Sequence, residues 1–273
     1  MNIPNGSYPS LKQAWVIFAI FLAVSIGTAL LMIIINNLAG IENLSPGNFV
    51  AYNLSMLFVI WFAWRNMKGK VEKVFHFNKI PTILYPLLVV LTLSMAVALD
   101  PVTSLIPMPE KIQEIFEMLS KRDIWTFLMV GITGPILEEL LFRGVILDGF
   151  LKRYNPGKAI FWSAFLFGLF HLNPWQFVPG FIIGLLLGYI YLKTRSLTTV
   201  ILVHMVNNTF SYLIMYIYGE DVYSFMDLFS KRGDYYFFLV GGTIIFLACI
   251  FLLYQILNKN PQLWILDSRI NSS

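Results

Sequence analysis

The chain has one cysteine, and charged residues fill only 12% of its 273 positions. One thiol cannot close an internal disulfide, so Cys249, inside the last apolar run, is expected to pack as a small hydrophobe. A soluble domain of this length carries roughly 25% charge, and the shortage excludes that class. Three catalytic signatures are missing as well. There is no Gly-x-Ser-x-Gly elbow, no His-Glu-x-x-His helix and no histidine near the cysteine in sequence. No internal repeat or low-complexity tract breaks the chain.

What the chain does contain is apolar length. With 58% hydrophobic and 16% aromatic residues it reads as an all-α, polytopic membrane helix bundle, a single integral-membrane domain over 1–273. Apolar runs at 15–35, 48–64, 83–99, 124–147, 159–172, 177–192, 197–218 and 235–257 predict about eight spans. The fifth and sixth fall short of the roughly 20 residues a crossing needs, and Asn173-Pro174-Trp175 separates them. They are expected to form a helical pair held inside the bundle, because exposed backbone is not tolerated in hydrocarbon. Residues 1–13 lack the short apolar core and cleavage site of a signal peptide, so 15–35 is expected to persist as the first span.

Charge sets the expected direction. With the N-terminus inside, thirteen Lys and Arg fall on the cytoplasmic side and five outside, predicting an N-in/C-in topology. The net charge of +4 is ordinary for such a protein and gives no sign of nucleic acid as a partner. Between spans three and four, Ile112, Ile115, Phe116 and Leu119 form an apolar stripe, with Glu110, Glu114 and Glu117 off it. The pattern fits an interfacial helix over 109–123 or a loop helix packed on the bundle. Gly180, Gly184 and Gly188 lie at i, i+4 and i+8, a stripe along which a second helix can approach closely.

Against this background the polar residues of spans four, five and seven stand out. Glu138, Glu139 and Arg143 lie within six residues of one span, each costing at least ~2.5–3.5 kcal/mol at bilayer depth. Glu139 and Arg143 are i and i+4 with the acid first, the preferred order for an ion pair along a helix. Glu138 is turned ~100° away and is left to face a cavity. Pro135 removes a backbone donor one turn earlier and is expected to loosen the helix. His171 ends the fifth run, with Phe167 one turn before it on the same face. His204 and Asn208 share a face of the seventh, whereas Asn207 points elsewhere.

At about 1.5 Å per residue, Glu138, His171, His204 and Asn208 lie ~14, ~18, ~11 and ~17 Å from the cytoplasmic ends of their spans. Three helices thus bring polar groups to nearly one level. Such a set suits hydrolysis of a carbonyl compound. A carboxylate in apolar surroundings is a stronger base toward water than one in bulk solvent, and an Asn amide with an imidazole N–H can hold a developing oxyanion. Two histidines and a glutamate (Glu138, His171, His204) are also a possible ligand set for zinc or another divalent metal, which the spacing does not force.

The three motifs, Glu138-Glu139-xxx-Arg143, Phe167-xxx-His171 and His204-xxx-Asn208, resemble those of the CPBP family of CAAX proteases and bacteriocin-processing (Abi) proteins, which includes the type II CAAX prenyl endopeptidases. The resemblance covers 124–211 and implies a multi-pass intramembrane endopeptidase, expected in a prokaryotic cell membrane. Its substrate would be a membrane-associated peptide or protein, of prenylated CAAX, bacteriocin or signal-peptide type. Glu138 is then expected to activate water, His171 to orient it, and His204 and Asn208 to stabilise the oxyanion. Glu139 and Arg143 would support the helix. The resemblance favours catalysis without a metal cofactor and a cavity that faces the cytoplasm. The alternative in another class is a non-proteolytic membrane protein for bacteriocin immunity or sensor regulation. A proton-coupled transporter fits less well, since transport has no need of an Asn/His donor pair opposite a carboxylate.

Overall fold

The computed structural model describes residues 8–67, 75–105, 108–109, 111–112, 121–219 and 224–259. Among these, eight helical rods make up the fold. They are α1 (Leu11–Ala39), α2 (Ser45–Met67), α3 (Leu84–Thr103), α4 (Ile124–Leu151), α5 (Pro156–Leu169), α6 (Pro174–Thr194), α7 (Leu197–Tyr218) and α8 (Arg232–Lys259). All but α5 are long and apolar enough to cross a membrane. The one extended pairing among the described residues is an isolated bridge between Phe77 and Ser196. The expected interfacial helix at 109–123 lies mostly outside the described residues.

Helix starts follow their capping residues. The side chains of Ser10, Asp123, Asn155, Asn173 and Ser196 each accept from a backbone N–H in the first turn of α1, α4, α5, α6 and α7. Pro156 and Pro174 sit just inside α5 and α6, where a missing N–H costs nothing. The same signal corrects one expectation. The Asn173-Pro174 step starts α6 earlier than its apolar run suggested, giving 21 residues, so α6 has full crossing length. The fifth helix is indeed short, with 14 residues or about 21 Å.

Long-range bonds define two ends of the bundle. At the first, Leu11 N–H donates to Tyr154, Leu197 N–H donates to the His76 carbonyl, and Lys193 donates to Asn258. Asp148, fully buried there, takes Arg195 at 2.7 Å and Lys152 at 2.5 Å. At the second end, Asn43 donates to Asp123 and Tyr212 to the Asp123 carbonyl. There Asp100 also receives Ser224 Oγ, Phe225 N–H and Tyr235 OH. Lys12, Arg65, Lys79, Lys152, Lys193 and Arg195 all belong to the first, basic end.

The glycine stripe packs as expected. A Cβ at Gly180 would meet Gly168 Cα at 3.4 Å, one at Gly184 would meet Ala164 at 3.0 Å, and one at Gly188 would meet Ile160 at 3.0 Å. Ile160, Ala164 and Gly168 are themselves spaced by four, so α5 and α6 lie together at near-backbone distance. This contact holds the short α5 inside the bundle.

Candidate active site

The fourth helix is irregular where the acids sit. Leu128–Thr133 and Leu140–Leu147 have the wider π geometry, flanking an α turn at Gly134–Glu139. Pro135 has no N–H to give the previous turn, and the Gly134 N–H reaches back five residues to the Met129 carbonyl. A Cβ at Gly134 would stand 2.6 Å from that same oxygen, so this wound segment requires glycine. The expectation that Pro135 disturbs the helix beside Glu138 is met, and the form of the disturbance is a π turn.

Glu139 and Arg143 pair as their spacing predicts, with Arg143 Nη1 to Glu139 Oε1 at 2.6 Å and both side chains fully buried. The guanidinium does more. Its Nη2 donates to the Gly184 carbonyl on α6 at 3.2 Å, and its carbon lies 4.6 Å from the centre of the Phe167 ring on α5. Glu139 Oε1 also bonds His204 Nδ1 at 2.9 Å. Arg143 and Glu139 therefore join α4 to α5, α6 and α7 at one level. Desolvation makes such a pair a weak source of net stability, but losing one partner strands the other in low dielectric.

His204 stands between the two adjacent acids. With Nδ1 on Glu139, its Nε2 points to Glu138 Oε2 at 3.8 Å. Glu138 is buried, and its Oε2 has no hydrogen-bond partner among the described residues. Its Oε1 accepts from the Tyr52 hydroxyl of α2, a partner that sequence reasoning missed. Tyr52 lies in a span with no recognisable motif, and nothing distinguishes it in sequence from the other twelve tyrosines.

Phe167 is buried between the histidines, its ring centre 5.4 Å from those of both His171 and His204 in edge-to-face contact. His171 follows the last turn of α5. Its Nδ1 bonds the Phe167 carbonyl at 3.0 Å, leaving Nε2 as the free ring nitrogen. Asn173 fixes this corner by donating to the His171 carbonyl while capping α6. Asn208 Nδ2 donates to the Val130 carbonyl at 3.0 Å, and Oδ1 accepts from Asn207. Asn207 thus buttresses Asn208.

A cavity of about 390 Å³ lies between α3, α6 and α7, and His171, His204, Asn207 and Asn208 contribute to its wall. Glu138 sits behind His204, outside the lining. The cavity runs toward the second end of the bundle, past Leu99, Asp100 and Thr103 on α3, Ser211 and Ile214 on α7, and Phe225. This corrects the expectation of a cavity facing the Lys/Arg-rich side. The count of depths along single helices did not show which end the packing would seal.

The alternative metal set of Glu138, His171 and His204 does not close. Among the described residues, no three His, Cys, Asp or Glu side chains group to hold an ion.

Residues 120–210 match a family model described as type II CAAX prenyl endopeptidase Rce1-like. The Rce1-like segment coincides with α4 to α7 and holds the site residues except Tyr52. Two curated bacterial relatives agree. One, from Bacillus subtilis, is named "Putative membrane peptidase YdiL" and is 27% identical over half of this chain. The other, the membrane-embedded CAAX protease MroQ of Staphylococcus aureus, is 29% identical over 36% of this chain. The chain spans about half the length of these relatives, 53% and 42% respectively. No solved structure matches it. Together with the seven crossing-length helices, the Rce1-like match makes this a multi-pass integral membrane protein.

Proposed function

We propose that the chain is an intramembrane endopeptidase that hydrolyses a peptide bond of a membrane-associated substrate with water activated by Glu138. The observation that carries this reading is the partnerless Glu138 Oε2, buried 3.8 Å from Nε2 of His204, a residue that lines the cavity.

In this mechanism, water entering between Glu138 and the imidazoles gives its proton to Oε2 as its oxygen attacks the scissile carbonyl. The free Nε2 of His171 accepts the water's second hydrogen bond and sets its direction. The resulting oxyanion takes the second N–H of the Asn208 amide and the Nε2 edge of protonated His204. Collapse breaks the C–N bond, and the proton on Glu138 passes to the leaving nitrogen. Glu139 and Arg143 fix the His204 ring, and Tyr52 fixes the Glu138 carboxylate. No step requires a metal.

Comparing membrane peptides from cells expressing the natural chain with those from cells expressing Glu138→Gln tests the proposal. The expected result is a set of uncleaved peptides in the variant, with protein level and membrane insertion unchanged. Identical peptide sets with both proteins present in equal amounts would leave a binding role, as in immunity or sensor regulation, as the better account.

A further inference from the structure

The Val130 carbonyl finds no donor along its own helix. The amide nitrogens in reach are those four and five residues on, Gly134 and Pro135. The Gly134 N–H goes to the Met129 carbonyl, and Pro135 has no hydrogen to give. The Val130 carbonyl instead accepts Asn208 Nδ2 from α7 at 3.0 Å.

A carbonyl can only accept, so this bond fixes which way round the Asn208 amide lies. Its Oδ1 faces away from Val130, and Asn207 Nδ2 donates to it at 3.1 Å. That bond fixes Asn207 in turn and leaves its own Oδ1 as the open end of the relay. Among the described residues nothing donates to this oxygen. Asn207 is half-buried and lines the cavity together with Val130 and Asn208, in a wall otherwise apolar at Met95, Leu99, Ile183 and Phe210. In such a wall the few polar groups decide what is bound and how it lies.

The two amides offer an acceptor and a donor side by side, Oδ1 of Asn207 and the second N–H of Asn208. An extended polypeptide supplies the complementary pair from a single residue, whose N–H and C=O point to the same edge. With the scissile carbonyl on Asn208, the N–H of the residue that owns that carbonyl meets Asn207. A ligand without an N–H would leave this oxygen unbonded in apolar surroundings, at a cost to binding.

We infer that Asn207 is a substrate-positioning residue whose Oδ1 accepts the backbone N–H of the residue on the acyl side of the bond to be cut. The cavity accordingly takes its substrate as an extended chain with that N–H free. The assignment rests on the reading of Asn208 as an oxyanion donor, and it is tested by binding, apart from cleavage.

Full-length Glu138→Gln protein in detergent is titrated with a dansyl-labelled, uncharged peptide of Leu, Ala and Phe. A matched series replaces one backbone N–H at a time by an ester oxygen. One replacement is expected to weaken binding roughly 10-fold, the others having little effect. Asn207→Leu in the same background should weaken the parent peptide and abolish the penalty at that one position, as for two groups that bond each other. An ester series that binds evenly, or a penalty that survives in Asn207→Leu, would overturn the assignment and leave Asn207 only as the buttress of Asn208. The even series is read without any change at position 207, so a poorly folded Asn207→Leu does not obscure it. Binding by no member of the series would remove the polypeptide site itself. A penalty at one position stands even where the natural chain and Glu138→Gln give identical membrane peptides, a result that rejects proteolysis alone.

Discussion

The Tyr52 hydroxyl donates a hydrogen bond to Oε1 of Glu138, joining the second helix to the fourth across 86 positions of sequence. With Oε1 held in this way, Oε2 is the oxygen turned toward His204. The first half of the chain thus contributes to a site whose motifs all lie in the second.

Tyr52→Phe removes one hydrogen bond to a charged group, worth about 1.5–3 kcal/mol. If Tyr52 positions the base, kcat on a peptide found by the Glu138→Gln comparison should fall by roughly 10- to 100-fold with KM little changed. The pH–rate profile should move as well, which a packing defect alone would not cause. A variant with the natural kcat and profile would remove Tyr52 from the site.

Arg143→Ala leaves Glu139 without its buried partner and breaks the bond to the Gly184 carbonyl, a loss expected to cost about 3–5 kcal/mol. The yield of monodisperse protein in detergent should drop sharply. Arg143→Lys keeps the charge without the planar fork and should recover part of it. Wild-type thermal stability in Arg143→Ala would contradict a four-helix junction centred on this guanidinium.

Gly134→Ala places a methyl group 2.6 Å from the Met129 carbonyl oxygen, whereas Gly27→Ala meets nothing within 4 Å. The first should lose about 1–3 kcal/mol and activity with it, and the second should behave as the natural protein. Thermal unfolding in detergent compares the two directly. Equal melting temperatures would mean that the π turn tolerates a side chain.

Dialysis against a strong chelator should leave cleavage unchanged, and elemental analysis should find no stoichiometric zinc. Activity lost on dialysis and restored by added zinc would overturn the metal-free mechanism.

Much of this architecture was legible one helix at a time. The Glu139–Arg143 pair and the Gly180, Gly184 and Gly188 stripe depend on spacing along one rod, and their geometry follows from the pitch of a helix. The length of α6 was underestimated because hydropathy marks the apolar middle of a helix, while Asn173 and Pro174 mark its start.

By itself, the sequence determined that the chain is a membrane-spanning helical bundle and which polar groups it carries at bilayer depth. Apolar length and the cost of intramembrane charge act locally and leave a mark on composition. Tertiary packing alone decided that His204 stands between Glu138 and Glu139, that Tyr52 reaches Glu138, and that the cavity opens away from the basic end. Each of these depends on side chains that meet across helices far apart in the chain, and periodicity within one helix carries no information about such meetings.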